Sequence, residues 1–365
     1  MPFIDLSRAQ AELVDEILQD LEALLESGSF VNGSAVAEFE AAFASFCGVR
    51  TCVGTSSGLD ALRIALLALE LGPGDEVIVP AQTFVATIEA VTQARAHPVL
   101  VDVSPVDLCI DPVAVEAAVT SYTRAVVPVH LYGQMADVRA LAALAALGID
   151  VIEDACQAHG ASRDGIVAGS AGRAAAFSFY PAKNLGAIGD AGALVMSDPE
   201  LEARARALRE HGQRHKYEHE LEGYTARLDT IQALVLLRKL PLLEEWNGQR
   251  RHAAELYLEA LAGVGDLLLP HVPAGSEPVW HLFAVRTGHP EDLADHLRAA
   301  GIETGRHYPT PVHLTQAYAQ LGYAAGSFPI AEELARTCLS LPIFPGITEG
   351  EIEAVVDAVG AFFHG

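Results

Sequence analysis

Short apolar runs alternate with longer alanine- and leucine-rich stretches through the first half of this chain. Thr51–Gly54, Glu76–Pro80, Val99–Val103, Ala125–Val129, Asp150–Glu153, Ala175–Phe179 and Gly192–Met196 predict strands, each brief and bounded by turn residues. Between them, Gly58–Leu71, Val85–Ala94 and Val138–Leu147 predict helices, and Leu13, Ile17, Leu21, Leu24 and Leu25 fall at helical spacing before the first strand. Strands alternating with helices predict a mostly parallel seven-stranded sheet with both faces covered.

The pattern changes after Ser197. Pro199–Glu210 predicts a helix, and His211–Arg227 is polar and aperiodic, as a functional or mobile loop is. A helical stretch from about Leu228 to Leu261 is interrupted at Pro241. From Trp280 the pattern predicts a smaller α+β unit: strand Leu282–Arg286, helix Pro290–Ala300, strand Ile302–Tyr308, helix Pro329–Cys338 and a final helix Thr348–Phe363. The expected domains are 1–245, with the sheet, and 246–365, the smaller unit.

The 365 residues include 48 acidic and 23 basic side chains, for a net charge of −25. Such a surface argues against nucleic-acid and anionic-membrane partners, and any anionic substrate must meet a local cluster of donors. No uncharged apolar run is long enough to span a bilayer, and the amino terminus has no signal-type core. The cysteines (Cys47, Cys52, Cys109, Cys156, Cys338) are odd in number and fit no zinc spacing, so reduced thiols in a cytoplasmic protein without a metal are expected.

Candidate chemistry gathers at strand ends. Phe177–Ser178–Phe179–Tyr180–Pro181–Ala182–Lys183 ends an apolar strand in a Tyr-Pro turn and delivers a lysine into a run containing Gly186, Gly189 and Gly192. Most lysines are solvated loop residues, but few sit at a strand's carboxyl end, where α/β proteins place their sites. Val151–Ile152–Glu153 leads to Asp154, either a helix cap or a carboxylate aimed at a ligand. A lysine amine and an aspartate in these positions are what holding pyridoxal phosphate requires: the amine condenses with the aldehyde and the carboxylate pairs with the ring nitrogen. Gly54–Thr55–Ser56–Ser57–Gly58 follows a strand and opens a helix, as an ordinary cap or a phosphate seat does, and Ser178 can add a hydroxyl. Gln157 can reach a ring hydroxyl, His159 shares its segment, and Phe84 can stack on a ring or pack in the core.

These pieces together resemble the DegT-type family of pyridoxal-phosphate sugar aminotransferases. The resemblance spans nearly the whole chain and includes Gln82–Thr87, His130–Gln134, Glu153–Gly160, Arg227–Ala233, His307–Tyr308–Pro309 and Phe328–Pro342. It implies a fold-type-I homodimer with shared sites and a catalytic Lys183 that both holds the cofactor and carries protons. Asp154, Gln157, Phe84, Ser56, Ser57, Ser178 and a partner's Thr225 would hold the cofactor. Tyr180, Arg214, Lys216, Tyr217, His307 and Tyr308 would meet the substrate, with the 211–227 loop reaching into the partner's site. Two departures stand out: Thr225 replaces the family's usual Asn, and Ala182 replaces a common Thr or Ser before the lysine.

The implied activity is transamination of a nucleotide-linked (dTDP) keto-6-deoxyhexose at the third ring carbon, for amino sugars of antibiotics or surface polysaccharides. Glutamate or glutamine is the donor, and pyridoxamine phosphate is the intermediate form of the cofactor. A cyclitol aminotransferase acting on a keto-inositol shares every cofactor residue. A cofactor-binding regulator and a dehydratase are further alternatives; retention of Lys183 argues against the dehydratase, whose lysine is replaced by His.

Overall fold

The computed structural model describes residues 1–364. Seven strands, β1 (Thr51–Thr55), β2 (Glu76–Pro80), β3 (His97–Val101), β4 (Thr123–Val126), β5 (Asp150–Asp154), β6 (Ala174–Ser178) and β7 (Gly192–Met196), form one sheet in the order β1-β7-β6-β5-β4-β2-β3. All neighbours pair in parallel except β7, which runs antiparallel to both β1 and β6. The ends of β1, β2, β5 and β6 therefore open on one edge of the sheet, where ligand sites of α/β sheets lie.

Both faces of the sheet are buried, which is why its strands read as continuous apolar runs. Alternation is still visible in β6. Ala174 and Ala176 pack with Leu62 and Ile64 of one core cluster, while Ala175 and Phe177 pack with Phe39 and Phe43 of the other. The second cluster is locked by edge-on aromatic pairs, Phe43 with Phe177 at 5.0 Å and with Phe179 at 5.1 Å.

Helices α1 (Val14–Ser27), α2 (Ser34–Cys47), α3 (Gly58–Ala68), α4 (Ala86–Gln93), α5 (Pro199–Arg209) and α6 (Thr230–Lys239) belong to the sheet unit. The long α7 (Leu243–Ala260) sends Ala253, Ala254 and Tyr257 into a separate core. That core is closed by α8 (Pro290–Ala299), α10 (Glu349–His364) and a two-stranded antiparallel sheet, β8 (Phe283–Arg286) with β9 (Cys338–Leu341); α9 (Pro329–Thr337) leads into β9.

Two expectations are corrected here. Residues 302–308 form no strand; only Gly305 bridges to Ser340, and His307–Tyr308 turn inward instead. The strand facing β8 is Cys338–Leu341, which is wholly buried and begins where the predicted helix was to end. A third difference is smaller: His211–Arg227 contains a short hairpin, Gln213–His215 with Glu218–His219.

A buried polar network stiffens the floor beneath the open edge. Glu153 and His130 are fully buried, with His130 Nε2 2.9 Å from Glu153 Oε2. The Ala136 amide donates to His130 Nδ1 at 3.2 Å, which leaves Nε2 as the N–H that faces Glu153. The other lone pairs of Glu153 accept from the amides of Gly169, Ala171 and Gly172 at 2.8–2.9 Å. Burial alone would raise this carboxyl's pKa; the hydrogen bonds from His130 and the amides win and hold it below the usual range. A depressed carboxyl adds stability above its unfolded pKa of roughly 4.3 and loses it on acidification. Glu153→Gln turns one acceptor into a donor facing N–H groups. A loss of about 3 kcal/mol in denaturant unfolding at neutral pH is expected; a loss below about 0.5 kcal/mol would contradict this account of the network.

Candidate active site

The first wall of the site is the β1–α3 turn. Ser57 caps α3, its hydroxyl accepting from the Asp60 amide at 3.1 Å. Helix geometry leaves the amides of Gly58 and Leu59 without intrahelical acceptors, at the positive end of the helix dipole. A Cβ at Gly58 would lie 2.8 Å from both Cys156 Sγ and Ser178 Cβ, so only glycine lets the turns after β1, β5 and β6 meet. Ser56 differs from the expectation: its hydroxyl bonds the Asp60 carboxylate, and it does not line the cavity.

The β2–α4 turn supplies the next wall. Phe84 is 52 % exposed, and its ring lies 5.5 Å from that of Tyr308. Three residues on, Thr87 donates to Asp154 Oδ2 at 2.7 Å, and the Cys156 amide donates to Oδ1 at 3.2 Å. Asp154 is thus fixed by two donors at the end of β5. Gln157 accepts from the Tyr132 amide at 2.7 Å and donates to the Tyr308 hydroxyl at 3.2 Å. Gln82 donates to the Tyr308 carbonyl at 3.1 Å, and the Tyr132 hydroxyl to that of His307, so both small-unit residues are pinned to the sheet edge.

Lys183 follows β6 in a tight turn, its amide donating to the Tyr180 carbonyl at 2.8 Å. It is half-buried and faces the same cavity of about 500 Å³ as Asp154, Gln157, Ser57, Ser178 and Phe84. No hydrogen bond holds its Nζ among the described residues. Burial lowers its pKa, with Cys156 and Asp154 pulling weakly the other way. A larger neutral fraction at neutral pH is what an amine needs in order to attack a carbonyl.

Tyr180, His307 and Tyr308 also line this cavity. Burial, helped by the Lys183 charge, pushes the His307 ring down to about 4. Arg214, Lys216, Tyr217 and Thr225 do not line it. They lie on or beside the exposed hairpin: Arg214 is 3.4 Å from Glu220, Lys216 sits over the Tyr217 ring, and Thr225 Oγ1 is 3.2 Å from His211 Nε2. His159 is structural, bonded to the Ser178 carbonyl at 2.9 Å and packed against Phe177 and Phe179. Arg306 caps the end of α9, donating to the carbonyls of Ala335, Arg336 and Cys338.

Phe3, Thr87 and His281 were not anticipated as site residues. Thr87 lies one helical turn beyond Thr83, whose hydroxyl it meets at 2.8 Å, a spacing that could have flagged it. Phe3 stacks on His307 at 5.5 Å from the far end of the chain, which no local pattern reveals.

The donor set fits pyridoxal phosphate: a carboxylate for a ring nitrogen, an amide side chain for a ring oxygen, an exposed flat ring, a helix start with hydroxyls for a phosphate, and an unpaired amine with lowered proton affinity. Among the described residues no cluster of His, Cys, Asp or Glu could hold a metal, and no helix is long and apolar enough to cross a membrane.

Comparison with known proteins agrees with this geometry. Residues 11–360 match the DegT/DnrJ/EryC1/StrS aminotransferase family. The chain is 48 % identical over 360 residues to a dTDP-3-amino-3,4,6-trideoxy-alpha-D-glucose transaminase of Streptomyces venezuelae, covering 98 % of this chain and 95 % of that one. The crystal structure of S. venezuelae DesV in complex with a ketimine intermediate superposes with a TM-score of 0.97 at 48 % identity, over 100 % of this chain and 98 % of that one. NtdA from Bacillus subtilis, solved with its bound cofactor PMP, gives 0.94 at 32 % identity, over 100 % of this chain and 85 % of that one. The site is thus built on the fold-type-I aminotransferase scaffold, and this chain belongs to the DegT/DnrJ/EryC1/StrS aminotransferase family.

Proposed function

We propose that this chain uses pyridoxal phosphate to move an amino group from glutamate to the third ring carbon of a dTDP-linked keto-6-deoxyhexose, in amino-sugar biosynthesis. The observation that carries the reading is the unpaired Lys183 amine facing one cavity with Asp154. The trideoxyglucose transaminase at 48 % identity supports the substrate class and the ring position.

When bound, the cofactor withdraws electrons from the carbon that gains or loses a proton. Asp154 would hold the ring nitrogen, Gln157 the ring oxygen, and Phe84 would cover one face. Ser57, Ser178 and the first amides of α3 would hold the phosphate. Lys183 Nζ would anchor the cofactor and, once freed, would carry the proton to and from the carbon that the cofactor activates, first on the amino acid and then on the sugar. General acid–base catalysis of this kind contributes ~10²–10⁴-fold.

In this reading two chains share their sites. Leu18, Leu25, Phe30 and Val31 are exposed apolar residues suited to burial against a second copy. The 211–227 segment with its exposed hairpin would carry Arg214, Lys216, Tyr217 and Thr225 to the partner's cavity, bringing cations to an otherwise acidic protein.

The test is to load the purified protein with cofactor, measure its mass in solution, and offer glutamate with a dTDP-3-keto-6-deoxyhexose, its 4-keto isomer or a keto-inositol. The expected result is a two-chain particle that aminates the 3-keto sugar. A single-chain mass would refute the shared site, and turnover confined to the inositol would transfer the chain to cyclitol chemistry.

A further inference from the structure

His281 has no part in the scheme above, yet its buried ring lines the cavity beside His307 and Tyr308. Its surroundings decide which ring nitrogen carries the proton. Asn184 Nδ2 donates to the Val279 carbonyl at 2.8 Å and to Asn247 Oδ1 at 2.9 Å. A carbonyl oxygen only accepts, so the Asn184 amide cannot be turned around. Asn247 is fixed in the same way, its Nδ2 donating to the His159 carbonyl at 2.8 Å. Asn184 Oδ1 must therefore be the atom facing His281 Nδ1, 3.2 Å away, and Nδ1 must be the N–H.

The ring is neutral. Burial, followed by the positive charges of Lys183 and Arg250, pushes its pKa well below the usual histidine range. A neutral ring with its proton on Nδ1 has a bare lone pair on Nε2. That nitrogen has no hydrogen-bond partner among the described residues and is not among the buried polar atoms sealed from solvent. The backbone is held as firmly as the ring, since Arg250 Nη1 donates to the carbonyls of Trp280, His281 and Ile343 at 3.0–3.4 Å. The lone pair is thus preorganised.

We infer that His281 is a specificity-determining residue whose bare Nε2 accepts a hydrogen bond from a hydroxyl of the amino-acceptor sugar. The inference rests on the sugar reading above. A lone pair at a fixed point rewards a hydroxylated substrate. It offers nothing to the carboxylates of glutamate, which bring only acceptors. The contact therefore separates the two halves of the reaction by chemistry.

Two substitutions distinguish this contact from mere support of the fold. His281→Asn keeps an N–H where Nδ1 faces Asn184 and deletes the acceptor at Nε2. His281→Gln places an amide oxygen near the Nε2 position and gives up the Asn184 contact. In the cofactor-loaded enzyme, His281→Asn is expected to lower kcat/KM for the sugar about tenfold, chiefly through KM, with the glutamate half-reaction within about twofold. His281→Gln is expected to recover the sugar reaction to within about threefold of wild type. The opposite ranking, with His281→Asn matching an active wild type, would overturn the contact and leave a structural role. An inactive wild type toward every hydroxylated acceptor would overturn the function and the contact together. Nitrogen-15 spectra of histidine-labelled holoenzyme without sugar give a readout apart from turnover: Nδ1 protonated and Nε2 bare supports the inference, and an Nε2–H overturns it.

Discussion

Replacing Lys183 with Ala is expected to reduce transamination by ~10⁴-fold or more while leaving the protein folded. The loss would be large because, in the proposed reaction, one nitrogen serves both as cofactor anchor and as proton carrier, so no neighbour covers for it. Asp154 cannot, being fixed by Thr87 and the Cys156 amide, and the buried His159 ring is bonded to the Ser178 carbonyl. Folding should be spared because Lys183 Nζ makes no hydrogen bond among the described residues and its charge is disfavoured by burial. Small primary amines added to the solution should restore part of the rate, since the cavity of about 500 Å³ has room for them. A Lys183→Ala protein that cycles glutamate at the wild-type rate would remove the residue from the chemistry.

The second large effect is expected at Asp154. Asp154→Asn still offers Thr87 and the Cys156 amide an oxygen, but it brings no negative charge to a ring nitrogen. Without that charge a bound cofactor ring would be less readily protonated and would supply less electron demand. A drop of about 10³-fold in kcat is expected, with the cofactor retained because the proposed phosphate seat at Ser57 and Ser178 is untouched. A cofactor analogue methylated at the ring nitrogen carries its positive charge permanently. It should return a large part of the lost rate to Asp154→Asn and little to the wild type. Equal response of both proteins to the analogue would mean that Asp154 only supports the fold.

Much of this site was legible before the structure because the chemistry sits where local patterns change. Each of Ser57, Asp154, Ser178 and Lys183 lies within a few residues of a buried strand end, and a short apolar run closed by turn residues marks such an end. Finer placement was not legible. Ser56 and Ser57 are adjacent and chemically identical, and only the cap geometry of α3 shows that Ser56 bonds Asp60. The small unit was harder because its strands are brief. Residues 302–308 have strand-like composition, but the carbonyls of His307 and Tyr308 are held by Tyr132 and Gln82. Cys338–Leu341 continues an apolar helical pattern without a break, so its change to strand depends on pairing with β8. His281 and Phe3 were invisible for a different reason. Their roles come from Asn184 and His307, which are distant in sequence and adjacent only in the fold.

The exposed hairpin is the part of the account that depends on a second chain. Within one chain it meets neither Lys183 nor Asp154. Thr225 presents a hydroxyl already near the His211 ring, and an Asn there would offer two N–H donors in place of that one O–H.

The most direct test of the whole is to find which nitrogen carries the cofactor. The purified protein, loaded with pyridoxal phosphate, is reduced with borohydride, digested and sequenced by mass spectrometry. A pyridoxyl group on Lys183, in the peptide that follows β6, is the predicted result. A tag on Lys216, Lys239 or any other amine, or no tagged peptide from a protein that still transaminates, would contradict it.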